Sequence, residues 1–140
     1  DLALRKSIVL LRNDAQILPI KKKTKVYFET YYDNGKTKNP ISIKENIANK
    51  WNFEFVKTKE EADVILVWLI PSGGSLFSST GNPIDISLSK CKIDITHINE
   101  LTSSKPSILA INFSSPWVLD ELNKYNAKAT FFCIGNPKPY

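Results

Sequence analysis

Val64-Ile65-Leu66-Val67-Trp68-Leu69-Ile70 is apolar at every position. A strand with one wet face alternates, so a run without alternation reads as a strand covered on both faces, as in the middle of a parallel sheet. Ile108-Leu109-Ala110-Ile111 has the same character. Three further segments, 25–29, 53–57 and 129–134, read as strands, and the two apolar runs extend over 64–70 and 107–113. Helical patterns fall between them. Residues 41–50 set Ile43 and Ile47 on one face, and 93–103 turn Ile95, Ile98 and Leu101 inward. Residues 116–125 open with Ser115 as an N-cap and Pro116 at the first helical position, and Val118, Leu119 and Leu122 face the sheet. Strands alternating with helices predict a three-layer α/β/α sandwich around a doubly wound, mostly parallel sheet of about five strands, in the order 2-1-3-4-5. A ligand crevice is then expected beyond the carboxyl ends of the first and third strands, between loops 30–40 and 71–83.

Composition sets the outer bounds. The chain has 140 residues, 42% hydrophobic and 24% charged, enough for one domain with its own core. No apolar run approaches the ~20 residues of a membrane span. The net charge is +5, yet only Arg5 and Arg12 are arginines. Nucleic-acid readers rely on arginine forks, so no nucleic-acid partner is expected. Lys21-Lys22-Lys23-Thr24-Lys25 reads as a solvated loop that keeps an edge soluble, with a polyanion site as the alternative. Cys91 and Cys133 stand far apart with no CxxC and a single histidine, His97, so no metal site and no cofactor is expected.

The long loop 71–83, Pro71-Ser72-Gly73-Gly74-Ser75-Leu76-Phe77-Ser78-Ser79-Thr80-Gly81-Asn82-Pro83, holds no acid, base or charged nucleophile. Its glycines make neither G-x-G-x-x-G nor a P-loop. A triad of a loop serine, His97 and Asp85 or Asp94 can be written, but no G-x-S-x-G elbow supports it, and His97 reads as a boundary residue of its helix. Glycoside cleavage needs two carboxylates about one bond, and Glu60, Glu61, Asp63, Asp120 and Glu121 make no such pair. No catalytic residue is assigned. The substrate-facing candidates are Ser75, Phe77, Ser78, Ser79 and Asn82 from the loop, with Tyr31 and Tyr32 at the end of the first strand. Tyr31, Tyr32, Leu76 and Phe77 are expected to form an exposed apolar patch.

The amino-terminal stretch reads Ser7-Ile8-Val9-Leu10-Leu11-Arg12-Asn13-Asp14-Ala15-Gln16-Ile17-Leu18-Pro19-Ile20. Leu4, Ile8 and Leu11 recur at helical spacing, so a helix is expected to break at Asn13-Asp14 and lead into a loop that pins Leu18-Pro19. This wording resembles the entry into the C-terminal α/β domain of glycoside hydrolase family 3. Glu60-Glu61-Ala62-Asp63 before the apolar strand, Thr80-Gly81-Asn82 through Leu88, Lys105-Pro106 before the next strand, Ser114-Ser115-Pro116-Trp117 and the segment 127–140 resemble further landmarks in the family's order.

The resemblance implies one domain over 1–140: an entry helix and linker over 1–24 arriving from a catalytic (β/α) barrel, and an α/β sandwich over 25–140 that stops short of the family's carboxyl end. It also implies a β-N-acetylhexosaminidase- or β-glucosidase-like parent, with the barrel and, through the parent, carbohydrate as partners. Many relatives carry a glycine after the apolar strand and then a glutamate-bearing loop that reaches the barrel. Here Ile70 and a serine-rich loop stand in those places, and Glu29-Thr30-Tyr31 stands where relatives usually have glycine. The Ser-Pro-Trp turn and Gly135-Asn136-Pro137 are closest to the N-acetylglucosaminidase branch, in which the barrel supplies acid/base and nucleophile. The rival expectation is a stand-alone flavodoxin-like binding or regulatory domain.

Overall fold

The computed structural model describes residues 8–32, 45–70, 94–113 and 129–134. They form six strands and two helices: β1 (Ile8–Arg12), β2 (Lys25–Tyr32), α1 (Glu45–Trp51), β3 (Glu54–Val56), β4 (Val64–Ile70), α2 (Ile95–Ser104), β5 (Ser107–Phe113) and β6 (Ala129–Ile134). One sheet holds all six strands in the order β1-β6-β5-β4-β2-β3. From β3 to β6 every pairing is parallel, and the predicted order 2-1-3-4-5 appears as β3-β2-β4-β5-β6. The chain winds outward from β2 to β3 in one direction and from β4 to β5 in the other. Right-handed crossovers of opposite direction put α1 and α2 on opposite faces. The predicted 116–125 helix lies outside the described residues.

β4 lies between β2 and β5, parallel to both, as its composition requires. Its two faces differ. Ile65, Val67 and Leu69 are fully buried, and in register with Ser107, Leu109 and Ile111 they form the floor on which Ile98 and Leu101 of α2 pack. Leu66, Trp68 and Ile70, on the other face, are only partly covered. There Ile17, Leu18 and Ile20 pack against Val64 and Ile108 at the amino end of the strands. Phe28 continues the layer between Trp68 and Phe55, with ring centroids 6.3 and 6.0 Å away. The expectation of a strand buried on both faces is therefore corrected to one closed face and one partly covered face among the described residues.

The amino-terminal expectation is corrected as well. Ile8–Arg12 is not helical; it is an edge strand antiparallel to β6, with Ile8 opposite Cys133 and Leu10 opposite Phe131. Four consecutive aliphatic residues satisfy helical spacing and strand patterning alike. The β-branched pair Ile8-Val9 and the free edge of β6 decide for the strand. Ile8, Val9, Leu10 and Leu11 remain 40–55% exposed. The break at Asn13 does form. The Asn13 side chain donates to the Leu18 carbonyl (2.9 Å) and accepts from the Leu18 amide (3.1 Å), which pins the Leu-Pro step as expected.

The resemblance landmarks have physical roles. Asp63 and Lys25 exchange two bonds at the mouth of the β2–β4 ladder: the Lys25 amide donates to the Asp63 carboxylate, and the Asp63 amide to the Lys25 carbonyl, both at 2.9 Å. Ala62 is buried beside them. The Lys105 ammonium donates to the carbonyls of Glu60 (2.7 Å) and Ala62 (2.6 Å), fastening the turn before β4 to the start of β5.

Candidate functional site

The diverging crossovers put the topological switch point between β2 and β4, and the site is built on β2. Alternation along a strand sends Tyr27, Glu29 and Tyr31 to one face, the face that carries Ile65, Val67 and Leu69 on β4 and receives α2. A carboxylate at such a position must be satisfied by donors or expelled. Glu29 is satisfied from three sides. The Tyr27 hydroxyl donates to Oε1 at 2.6 Å, the Tyr31 hydroxyl donates to Oε2, and His97 Nε2 lies 3.2 Å from Oε2. The Glu29 side chain is 16% exposed and that of His97 41%, so the imidazole forms the wet rim of a mostly dry carboxylate.

His97 is aimed by the start of α2. Asp94 caps the helix, its carboxylate accepting from the His97 amide at 3.0 Å and its carbonyl from the Ile98 amide at 3.1 Å. The His97 ring sits against Tyr31 with centroids 6.2 Å apart. Deeper in the helix, the buried Thr102 hydroxyl donates back to the Ile98 carbonyl at 2.9 Å and the Ser107 hydroxyl to the Thr102 carbonyl at 3.3 Å, so these polar atoms need no ligand.

Electrostatics follow the geometry. Burial, the hydrogen bond to Glu29 and its negative charge, in that order, push the Tyr27 phenol up to about 12. The same causes drive Tyr31 higher still, with Tyr27 and Asp94 adding to the effect. Both phenols therefore stay neutral donors. Chemically, the group is a carboxylate that orients an imidazole, the arrangement of a general base and its orienting partner. Among the described residues no serine, threonine or cysteine hydroxyl or thiol stands with it as nucleophile.

The written triad is revised accordingly. The Asp94 carboxylate is used by the His97 amide, and the acid on the ring is Glu29, 68 positions away. Asp85 lies outside the described residues, as do Ser75, Phe77, Ser78, Ser79 and Asn82. Tyr32 belongs to β2, with its side chain outside them. Tyr31 is not part of an exposed patch: it is 4% exposed, its hydroxyl turned inward to Glu29. Leu76 and Phe77 lie outside the described residues. The missed residue, Glu29, had one signal: an acid flanked at i−2 and i+2 by tyrosines on a strand shares their face. Lys21, Lys22, Lys23 and Lys25 are all exposed, as a solvated loop requires. No described helix is long and apolar enough to cross a membrane.

No protein-family model matches the chain. No curated protein matches it in sequence. Solved structures do match in fold. A β-glucosidase from Listeria innocua in complex with isofagomine superposes with a TM-score of 0.59 at 17% identity, over 94% of this chain and 22% of its own. An exo-1,3/1,4-β-glucanase from Pseudoalteromonas gives 0.54 at 17% identity, over 93% of this chain and 20% of its own. The β-glucoside phosphorylase BglX gives 0.60 at 13% identity, over 95% and 25%. The chain spans about a fifth to a quarter of the length of these proteins, and it has the fold of one piece of each, in agreement with its resemblance to the C-terminal α/β domain of family 3 glycoside hydrolases.

Proposed function

We propose that the chain is the C-terminal, non-catalytic α/β domain of a family 3 glycoside hydrolase, with a (β/α) barrel supplying nucleophile and acid/base. One observation carries the reading. Nearly the whole chain matches a fifth to a quarter of a β-glucosidase, a β-glucanase and a β-glucoside phosphorylase. A unit common to three differently named activities is a scaffold for them and not the source of any one reaction. The Glu29 cluster fits that role. Its carboxylate is occupied by Tyr27, Tyr31 and His97, which makes it a rigid support beneath the crevice.

In this reading the domain buttresses the barrel. Ser75, Phe77, Ser78, Ser79 and Asn82, with Tyr32, wall one side of the sugar site, and Tyr31 holds the wall from beneath. The parent acts on a β-N-acetylhexosaminide or a β-glucoside, and the acid-free loop 71–83 favours the former. The test is the full reading frame. A parent with a barrel before residue 1 should hydrolyse aryl β-N-acetylglucosaminide or β-glucoside, and the 140-residue chain alone should hydrolyse neither. Turnover by the chain itself, or a frame that encodes no barrel, overturns the proposal.

A further inference from the structure

A second concavity lies at the opposite end of the strands from the Glu29 cluster. Lys23, just before β2, and Asn49, Asn52, Phe53, Glu54 and Phe55, where α1 gives way to β3, line an open pocket of about 560 Å³. That is within the range of small-ligand sites, roughly 300–1,000 Å³. Its wall is a fixed turn. Asn52 ends α1 in the left-handed conformation (φ 57°), with its amide donating to Asn49 (3.2 Å) and the Phe53 amide to Ala48 (3.1 Å), the pattern of a Schellman cap. The Lys23 amide donates to the Asn52 carbonyl at 2.6 Å, with Lys23 itself left-handed (φ 64°). Lys23 has a Cβ that penalises this conformation, so the close approach of the two loops is held at a cost.

We propose that this pocket binds a neutral saccharide, at a site separate from the switch-point crevice. The lining has the chemistry a sugar ring requires. Phe53 and Phe55 meet edge to face at 5.2 Å and offer apolar surface to C–H faces. The exposed amides of Asn49 and Asn52 have no side-chain partner among the described residues and offer donors and acceptors to hydroxyls. Trp51, 66% exposed with the Lys50 ammonium 5.8 Å from its ring, lies outside the lining and takes no part in the site. Lys23 and Glu54 bring one charge of each sign, and the carbonyl end of α1 repels anions, so a phosphate is a poor occupant. The proposal is independent of the parent's reaction, because sugar binding by this chain and hydrolysis by a barrel are read separately.

The experiment titrates the full 140-residue chain with cellotetraose, and separately with inorganic phosphate, following amide NMR shifts. Saturable shifts at residues 48–55 with cellotetraose, absent from residues 27–31 and 97, are expected. Asn49→Ala, at an exposed position, and Asn52→Gly, which keeps the left-handed turn, should preserve the thermal transition and each weaken binding about fivefold to tenfold. No saturation at millimolar sugar, equal binding of phosphate, or unchanged affinity in both variants overturns the site.

Discussion

Replacing Glu29 by leucine tests whether the cluster on β2 is a single coupled unit. The wild-type carboxylate accepts from Tyr27 at 2.6 Å and from Tyr31, and lies 3.2 Å from His97. A hydrogen bond to a charged group contributes about 1.5–3 kcal/mol net, and a buried group left without a partner costs about 1–3 kcal/mol. Tyr27 and His97 are partly exposed and regain water when Glu29 is lost. Tyr31, 4% exposed, does not. Glu29→Leu should therefore cost about 3 kcal/mol, most of it through the stranded Tyr31 hydroxyl. Tyr31→Phe, which leaves Glu29 two donors, should cost about 1.5 kcal/mol. In the double variant nothing is stranded, so it should be about 1 kcal/mol more stable than Glu29→Leu alone, a coupling energy of about 2.5 kcal/mol. Urea unfolding followed by circular dichroism reads all four proteins, with constant m-values as the check on two-state behaviour. If the two costs simply add, Tyr31 is not held by Glu29, and the account of the cluster is wrong.

The raised phenols make a pH prediction. Tyr27 is lifted from 10.0 to about 12, so the fold favours its neutral form, and that contribution is intact below pH 10 and is lost as pH rises toward about 12. Ultraviolet titration should show a tyrosine ionising late, and Glu29→Leu should return it only part of the way because burial, the largest cause, persists. Lys105→Met removes two ammonium–carbonyl bonds at 2.6 and 2.7 Å and should lower stability by about 1–2 kcal/mol in urea; an unchanged midpoint would mean the turn before β4 is held by packing alone. The Thr30 hydroxyl is buried without a partner among the described residues, so Thr30→Val should raise stability by up to about 1 kcal/mol, and a lower melting temperature would reveal a partner for it.

The parallel core was legible because its signal is local. The unbroken apolar run at 64–70 and its counterpart at 107–113 leave little choice but adjacent central strands, and the helical patterns between them impose the crossovers. β1 was not legible, since an aliphatic run of four fits both periods and its partner lies at the other end of the chain. The Glu29–His97 contact failed to appear for a similar reason. Sequence proximity pointed to Asp94, which the helix cap consumes, whereas the true partner arrives through the register of β2 beneath α2. The unequal coverage of β4 was hidden as well, because composition records that a strand is apolar but not how much of each face its neighbours reach.

The pairing of β1 with β6 has a consequence for synthesis. Ile8-Val9-Leu10-Leu11 leaves the ribosome ahead of every other described strand, and the strand that receives it, Ala129–Ile134, follows all the rest of them. At ~5–20 residues per second, this aliphatic strand waits for several seconds while β2 to β5 can already assemble. During that interval it is a natural client for chaperones and a hazard for pairing between neighbouring nascent chains. Addition of the first-made of the described strands is thus the closing step of this sheet, and a ribosome stalled before residue 129 would release a chain in which β1 has no partner strand.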